Sequence, residues 1–182
     1  DHRDLHLSLR RQRQMCIRDR LEVFNGHPKT NTFGTGNKLS AEQIWDAVLT
    51  SGQKIFAAAT DDAHNYHDFT PNHSNPGRGW LNVRASDLTP DRIIDSLRSG
   101  DFYSSTGVVL NRINTDQKGI AIEIEKVPFV EYETTFVGEG GKILDKCFGN
   151  NPKYIFQGEK SYVRATISDS NGFKAWIQPV HV

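Results

Sequence analysis

The residues with the most chemical capacity are Asp62 and His64, inside the stretch Ala57 to His73, AAATDDAHNYHDFTPNH, where a short apolar run stops in acids, histidines and polar residues. Residues two apart on extended backbone project to the same side, so this carboxylate and imidazole would converge on one point. Such a pair is half of a metal site. Mixed oxygen and nitrogen donors suit Zn, Mn or Fe better than Ca or Mg, which prefer all-oxygen shells. The pair also has a plainer reading, in which Asp61 or Asp62 caps the following turn through a side-chain bond to backbone N–H.

The elements flanking the pair decide whether it can act. Lys54 to Thr60 (KIFAAAT) is short, apolar and bounded by turn residues, which predicts a buried strand. The residues after it stand where α/β proteins place their sites, at a strand's C-terminal end. Upstream, Leu21 to Asn25 (LEVFN) predicts a second strand, ending in the turn signal Asn25-Gly26. Between them Ser40 to Ser51 predicts a helix: Ser40 and Gln43 form a capping box, Ile44, Trp45, Val48 and Leu49 make one stripe, and Gly52 ends it. Strand, helix and strand form a βαβ unit with two parallel strands, which brings Asn25 and Asp62 to the same sheet edge.

The loop His27 to Lys38 (HPKTNTFGTGNK) contains GTGN but neither a third Gly at position 39 nor a Lys-Ser/Thr pair after a Gly, so it predicts an ordinary loop, not a phosphate cradle. Asn65 to Gly79 is a long loop broken by Pro71 and Pro76 and carrying His67, Asp68, His73 and Arg78. His67 and His73 could be further ligands, acid–base groups or solvated loop histidines. Arg78 could grip a substrate phosphate or carboxylate, or form a surface ion pair.

Trp80 to Ala85 alternates like a strand; Thr89 and Pro90 open a second helix with Ile93, Ile94 and Leu97 on its buried face and Gly100 as its stop. Phe102 to Thr106 predicts another strand. Beyond Gly107 only strand patterns remain, with Ile120, Ile122 and Ile124, then Val163, Ala165 and Ile167, on alternate positions. Thr134 to Val137, Lys153 to Phe156 and Ala175 to Ile177 are shorter candidates, and a small antiparallel sandwich is the natural way to bury them. The boundary between the two characters falls near Val108 to Gln117, dividing the chain at residues 110 and 111.

At 182 residues with zero net charge, the chain can bury a core and carries no global field toward nucleic acid or an acidic membrane surface. No apolar run approaches the roughly 20 residues of a membrane span. Two cysteines make no disulfide framework. The start lacks the apolar region of a secretory signal. Its LSLRRQRQMCIRDR is very basic and without periodicity, and resembles translated sequencing-adaptor sequence, as in metagenomic assemblies. Residues 1–20 are therefore read as non-native and set aside from fold reasoning.

The ordered series LEVFNGHP, EQIWDAVL, DDAH, GRGW, LTPDRIIDSLRSGDFYSSTG and YVRATISDSNGFKAWIQP resembles the C-terminal half of the PHP-type metal-dependent phosphoesterases, close to the histidinol-phosphatase-like and CehA/McbA-like metallohydrolases. The resemblance covers Leu21 to Val182. It implies the last β/α units of a distorted (β/α)7 barrel over residues 21–110, followed by a small antiparallel β-sandwich-like domain over residues 111–182. It also implies divalent transition metal ions, up to three, at the C-terminal ends of the strands, with Asp62 and His64 among their ligands and Asn25 and His27 lining the pocket. The His-x-His and the middle ligands of the family have no counterpart, since His2 and His6 have the wrong spacing.

The expectation is therefore a fragment of a hydrolase in which metal-bound hydroxide attacks a small phosphorylated substrate. The N-terminal half of its barrel is missing, and the chain alone is expected to be inactive. A competing expectation is a module that binds carbohydrate or protein through Tyr162, Phe173 or Trp176. A third is a scaffold without chemistry.

Overall fold

The computed structural model describes residues 19–182. The reading of residues 1–20 as non-native concerns, up to residue 18, positions outside those described. Strand β1 (Arg20–Asn25), helix α1 (Ala41–Thr50) and strand β2 (Phe56–Thr60) form a right-at-the-start βαβ unit in which β1 and β2 pair in parallel. The capping box on α1 is present in both directions: Ser40 Oγ accepts from the Gln43 N–H, and Gln43 Oε1 accepts from the Ser40 N–H. Trp45 and Leu49 are fully buried under this unit, worth about 2–3 kcal/mol each by area. Ile44, at the rim of the same stripe, is exposed.

After β2 the barrel expectation fails. Strand β3 (Trp80–Val83), helix α2 (Pro90–Ser99) and strand β4 (Phe102–Ser105) repeat the local strand–helix–strand pattern, but β3 and β4 pair antiparallel. A β/α barrel needs every successive strand to run parallel through a crossover. Strand outweighs helix, 40% against 14%, so the described residues are a mainly antiparallel β structure with one parallel pair, not part of a (β/α)7 barrel. Helix α2 also differs from expectation. It buries no residue, Ile94 is exposed, and Thr89 makes no side-chain cap; Pro90 at the start and Gly100 in the left-handed region at the end set its limits.

Strands β3 and β4 join a seven-stranded sheet with β7 (Tyr132–Gly138), β8 (Lys142–Phe148), β10 (Tyr162–Asp169), β11 (Lys174–Ile177) and β12 (Val180–His181). The order is β3-β4-β11-β10-β7-β8, with β12 paired to β10, so one sheet takes strands from both sides of residues 110 and 111. Strands β5 (Leu110–Asp116), β6 (Gly119–Ile124) and β9 (Lys153–Ile155) make a separate three-stranded antiparallel sheet. Among the described residues no helix is long and apolar enough to cross a membrane.

The large sheet is the middle layer, and strand periodicity assigns its two faces. Val163, Ala165 and Ile167 of β10 pack with Ile120, Ile122 and Ile124 of the small sheet. The alternate residue Tyr162 and the β11 residue Trp176 instead join the cluster of Val23, Trp45, Leu49, Ala57 and Ala59 beneath α1. Two positions on from Tyr162, Arg164 is 2% exposed and binds Asp46 of α1 through two parallel bonds, Nε to Oδ1 at 2.6 Å and Nη2 to Oδ2 at 2.7 Å. Its remaining donor Nη1 reaches Thr166 at 2.8 Å and Glu42 at 3.2 Å, and its plane lies over the Trp45 ring at 4.9 Å.

The outer edge of β2 is closed by side chains. Gln178 accepts from the Ala57 N–H at 2.8 Å and donates to the Ala57 carbonyl at 2.9 Å; Ser104 accepts from the Ala59 N–H at 3.0 Å and donates to the Ala57 carbonyl at 2.9 Å. These bonds satisfy buried backbone groups where a third parallel strand would otherwise be required.

Removing one partner of the buried pair leaves an uncompensated charge. Asp46→Ala is expected to lower the unfolding free energy by about 3–5 kcal/mol, read by denaturant unfolding, while Asp46→Leu combined with Arg164→Met recovers most of it. A loss under about 1 kcal/mol would show that the pair does not brace the layers. Burial pushes the Glu42 carboxyl up, but Arg164 foremost, with Lys174 and Thr166, holds it below its ordinary value of 4.5. A carboxyl lowered on folding stabilises the fold above its ordinary value, and that contribution disappears as pH falls through the folded value. Glu42→Gln is therefore expected to flatten the fall of stability below pH 4.5. An unchanged acid limb would contradict this.

Candidate functional site

The parallel pairing of β1 with β2 aligns Asn25 with Thr60 at the C-terminal end of both strands. A bulge between Glu22 and Phe24 shifts the register just before that end. Beyond Thr60 the chain turns sharply, with Asp62 at φ 48°, in the left-handed region that Asp enters more readily than most non-glycine residues. The turn is held from both sides. The Ser74 hydroxyl donates to the Asp62 carbonyl, and the His64 N–H donates to the Ser74 carbonyl at 2.9 Å.

Asp61 anchors the opposite wall. Its carboxylate accepts the N–H groups of Gly77 at 3.0 Å, Arg78 at 2.6 Å and Gly79 at 2.9 Å. Burial opposes its ionisation, but these bonds outweigh that and keep its carboxyl below the ordinary range. The turn sits tightly against β1. A Cβ on Gly26 would meet the Arg78 Cβ at 2.8 Å and the Asp61 carbonyl oxygen at 2.9 Å, so only glycine fits there.

Within this frame Asp62 and His64 converge, Oδ1 to Nε2 at 3.0 Å, both accessible to solvent. Asn25 donates through Nδ2 to Asp62 Oδ2 at 3.3 Å and to Glu22 Oε2 at 3.0 Å, and its Oδ1 accepts the His27 N–H at 2.8 Å. The His27 ring lies edge-on to the His64 ring, centroids 6.0 Å apart. The Asn25 bond, followed by His64, pulls the Asp62 carboxyl below its ordinary range.

Of the residues singled out from sequence, Asn25, His27, Asp62 and His64 meet at one mouth, while the His73 ring turns to the Asp68 carbonyl, 3.1 Å from Nδ1. His67 and Arg78 do different things. His67 is exposed and makes no hydrogen bond to another described residue. Arg78 is a brace: Nη1 donates to the Gly26 carbonyl at 3.0 Å, and Nη2 donates to the Thr70 carbonyl at 2.8 Å and to Asn75 Oδ1 at 3.2 Å. A guanidinium spent on three acceptors of its own chain serves the loop before it serves an anion. Sequence reasoning missed Glu22, whose carboxylate accepts from Thr60 Oγ1 at 2.5 Å as well as from Asn25. The signal was present in LEVFN, where buried Val23 sends its neighbour to the opposite face.

Asp62 and His64 offer the donor types a transition metal takes, and a stable catalytic shell needs three or more protein ligands. Among the described residues no three of His, Cys, Asp and Glu form such a group. The pair fits half of a shell, so no reaction step through a metal follows from it. Beside the pair lies a cavity of about 420 Å³ lined by Phe24, Asn25, His27, Phe33, Arg78 and Phe173. Of the aromatic residues proposed for a binding face, Tyr162 and Trp176 are core and Phe173 alone is exposed.

Comparison with protein-family models, with curated proteins and with solved structures finds no match to this chain.

Asn25→Ala removes the largest contributor to the low Asp62 carboxyl, so its titration midpoint, followed by carboxyl NMR, is expected to move upward toward the ordinary aspartate value. An unmoved midpoint would mean that Asn25 does not hold the carboxylate.

Proposed function

We propose that Asp62 and His64 are two ligands of a divalent transition metal, Zn, Mn or Fe, in a hydrolase that cleaves a phosphate ester. The metal shell is completed by groups outside the described residues. The observation that carries this reading is the 3.0 Å convergence of a carboxylate and an imidazole at the C-terminal mouth of a parallel strand pair. The order of the motifs LEVFNGHP, DDAH and GRGW supports the phosphoesterase class, apart from any barrel.

In this reading the chain's own residues have separate tasks. Asn25 orients Asp62 and lowers its carboxyl below the ordinary range. Asp61 and Arg78 hold the loop that carries His64 in place. The bound metal would supply a polarised water and neutralise charge on the phosphoryl group.

The test is metal binding by the full chain, measured by isothermal titration with Zn and Mn salts on the wild-type chain, Asp62→Ala and His64→Ala. Both variants are expected to weaken binding by at least about tenfold relative to wild type, since each removes one of two ligands. Equal affinity in all three chains would remove the pair from any metal site.

A further inference from the structure

A cavity of about 600 Å³ lies at the opposite end of β2 from Asp62, where β3, β4 and β5 meet the turn between β11 and β12. That volume is within the range of small-molecule sites, and a junction of separate sheets is a common place for one. Its apolar wall includes Phe56, Phe102, Val109, Ile177 and Pro179. The wall is closely fitted: a Cβ on Gly100 would meet the Phe56 ring at 2.3 Å, and Phe56 and Phe102 stand edge to face with centroids 5.9 Å apart.

The polar lining includes two guanidinium groups, Arg84 and Arg112, and the Tyr103 hydroxyl. Tyr103 is 8% exposed, and its hydroxyl oxygen accepts the Leu110 N–H at 3.0 Å, while its own hydrogen has no acceptor among the described residues. Asn111 and Arg112 of β5 both line the cavity. Neither they nor Asn82 hydrogen-bond through their side chains to another described residue. Arg84 is partly committed, to the Ile113 carbonyl at 3.2 Å and to Asp101 at 3.6 Å. Asp101 is the carboxylate of the lining, and Glu123 stands across from Arg112 in the β5–β6 pairing. A cavity with an aromatic wall and a guanidinium, Arg112, whose side chain has no hydrogen-bond partner among the described residues is complementary to an organic anion with an apolar body.

We propose that this cavity is a binding site for a small amphipathic carboxylate, with its apolar body against Phe56, Phe102 and Val109 and its oxygens on Arg112 and Tyr103. The site shares no lining residue with the mouth at Asp62, and it stands whether or not that mouth binds metal.

The test is a fluorescence titration of the full chain with 8-anilinonaphthalene-1-sulfonate, an anionic probe of this shape, and with N-phenyl-1-naphthylamine, its uncharged counterpart. Wild type is expected to bind the anion at one saturable site from which naphthalene-1-carboxylate displaces it. Arg112→Gln is expected to weaken the anion about tenfold, and Tyr103→Phe by a smaller factor, with the uncharged probe unaffected by Arg112→Gln. Arg112 is exposed, so its replacement leaves the fold intact, and thermal unfolding of the variant checks that. Absence of saturable binding, equal affinity for the anion in wild type and Arg112→Gln, or failure of the carboxylate to compete would each overturn the proposal.

Discussion

The structure depends on one buried ion pair. Arg164 lies within β10, on the face of the large sheet that receives α1, and Asp46 meets it with both carboxylate oxygens. Desolvating two charges costs several kcal/mol, and only good geometry with further hydrogen bonds offsets that cost. Here the further bonds exist: Tyr162 donates to Asp46 Oδ1 at 2.9 Å, Thr166 accepts from Arg164, and Glu42 takes the last guanidinium nitrogen. The pair therefore selects where α1 lies on the sheet more than it adds net stability. A helix held only by Trp45 and Leu49 could slide; one held by a two-point carboxylate contact has a single register.

That register propagates to the mouth where Asp62 and His64 lie. Helix α1 covers β1 and β2, and the parallel pairing of those strands sets Asn25 beside Asp62. The far edge of β2 is held against β4 and the β11–β12 turn by Ser104 and Gln178. The positions of the site residues are thus set on one side by backbone ladders and on the other by side chains that imitate a ladder. The loop from Asn65 to Gly79 is anchored separately, by Asp61 on three amides and by Arg78 on three acceptors. Long loops with this much internal bonding behave as fixed walls.

The middle sheet also separates two chemistries. One of its faces supports the βαβ unit and the acidic, histidine-bearing mouth; the other packs against the three-stranded sheet through a continuous aliphatic core. Between the sheets, at the foot of β2, lies the cavity lined by Arg112 and Tyr103. The strand alternation that sends Tyr162, Arg164 and Thr166 one way and Val163, Ala165 and Ile167 the other is what makes this separation possible.

Sequence by itself determined the local elements and much of the site. The capping box at Ser40, the strand endings at Asn25 and Thr60, and the Asp62–His64 spacing are properties of neighbouring residues, governed by backbone sterics and short-range hydrogen bonds. Tertiary structure decided what no local pattern records. A strand, a helix and a strand look the same whether the second strand returns parallel or antiparallel, so the direction of β4 against β3 followed from the sheet it joined. The same is true of Arg78, whose type suits an anion but whose donors found carbonyls brought near by the turn, and of Arg164, whose partner lies 118 positions away. Interactions of that range depend on which surfaces meet, and that is fixed only when the layers pack.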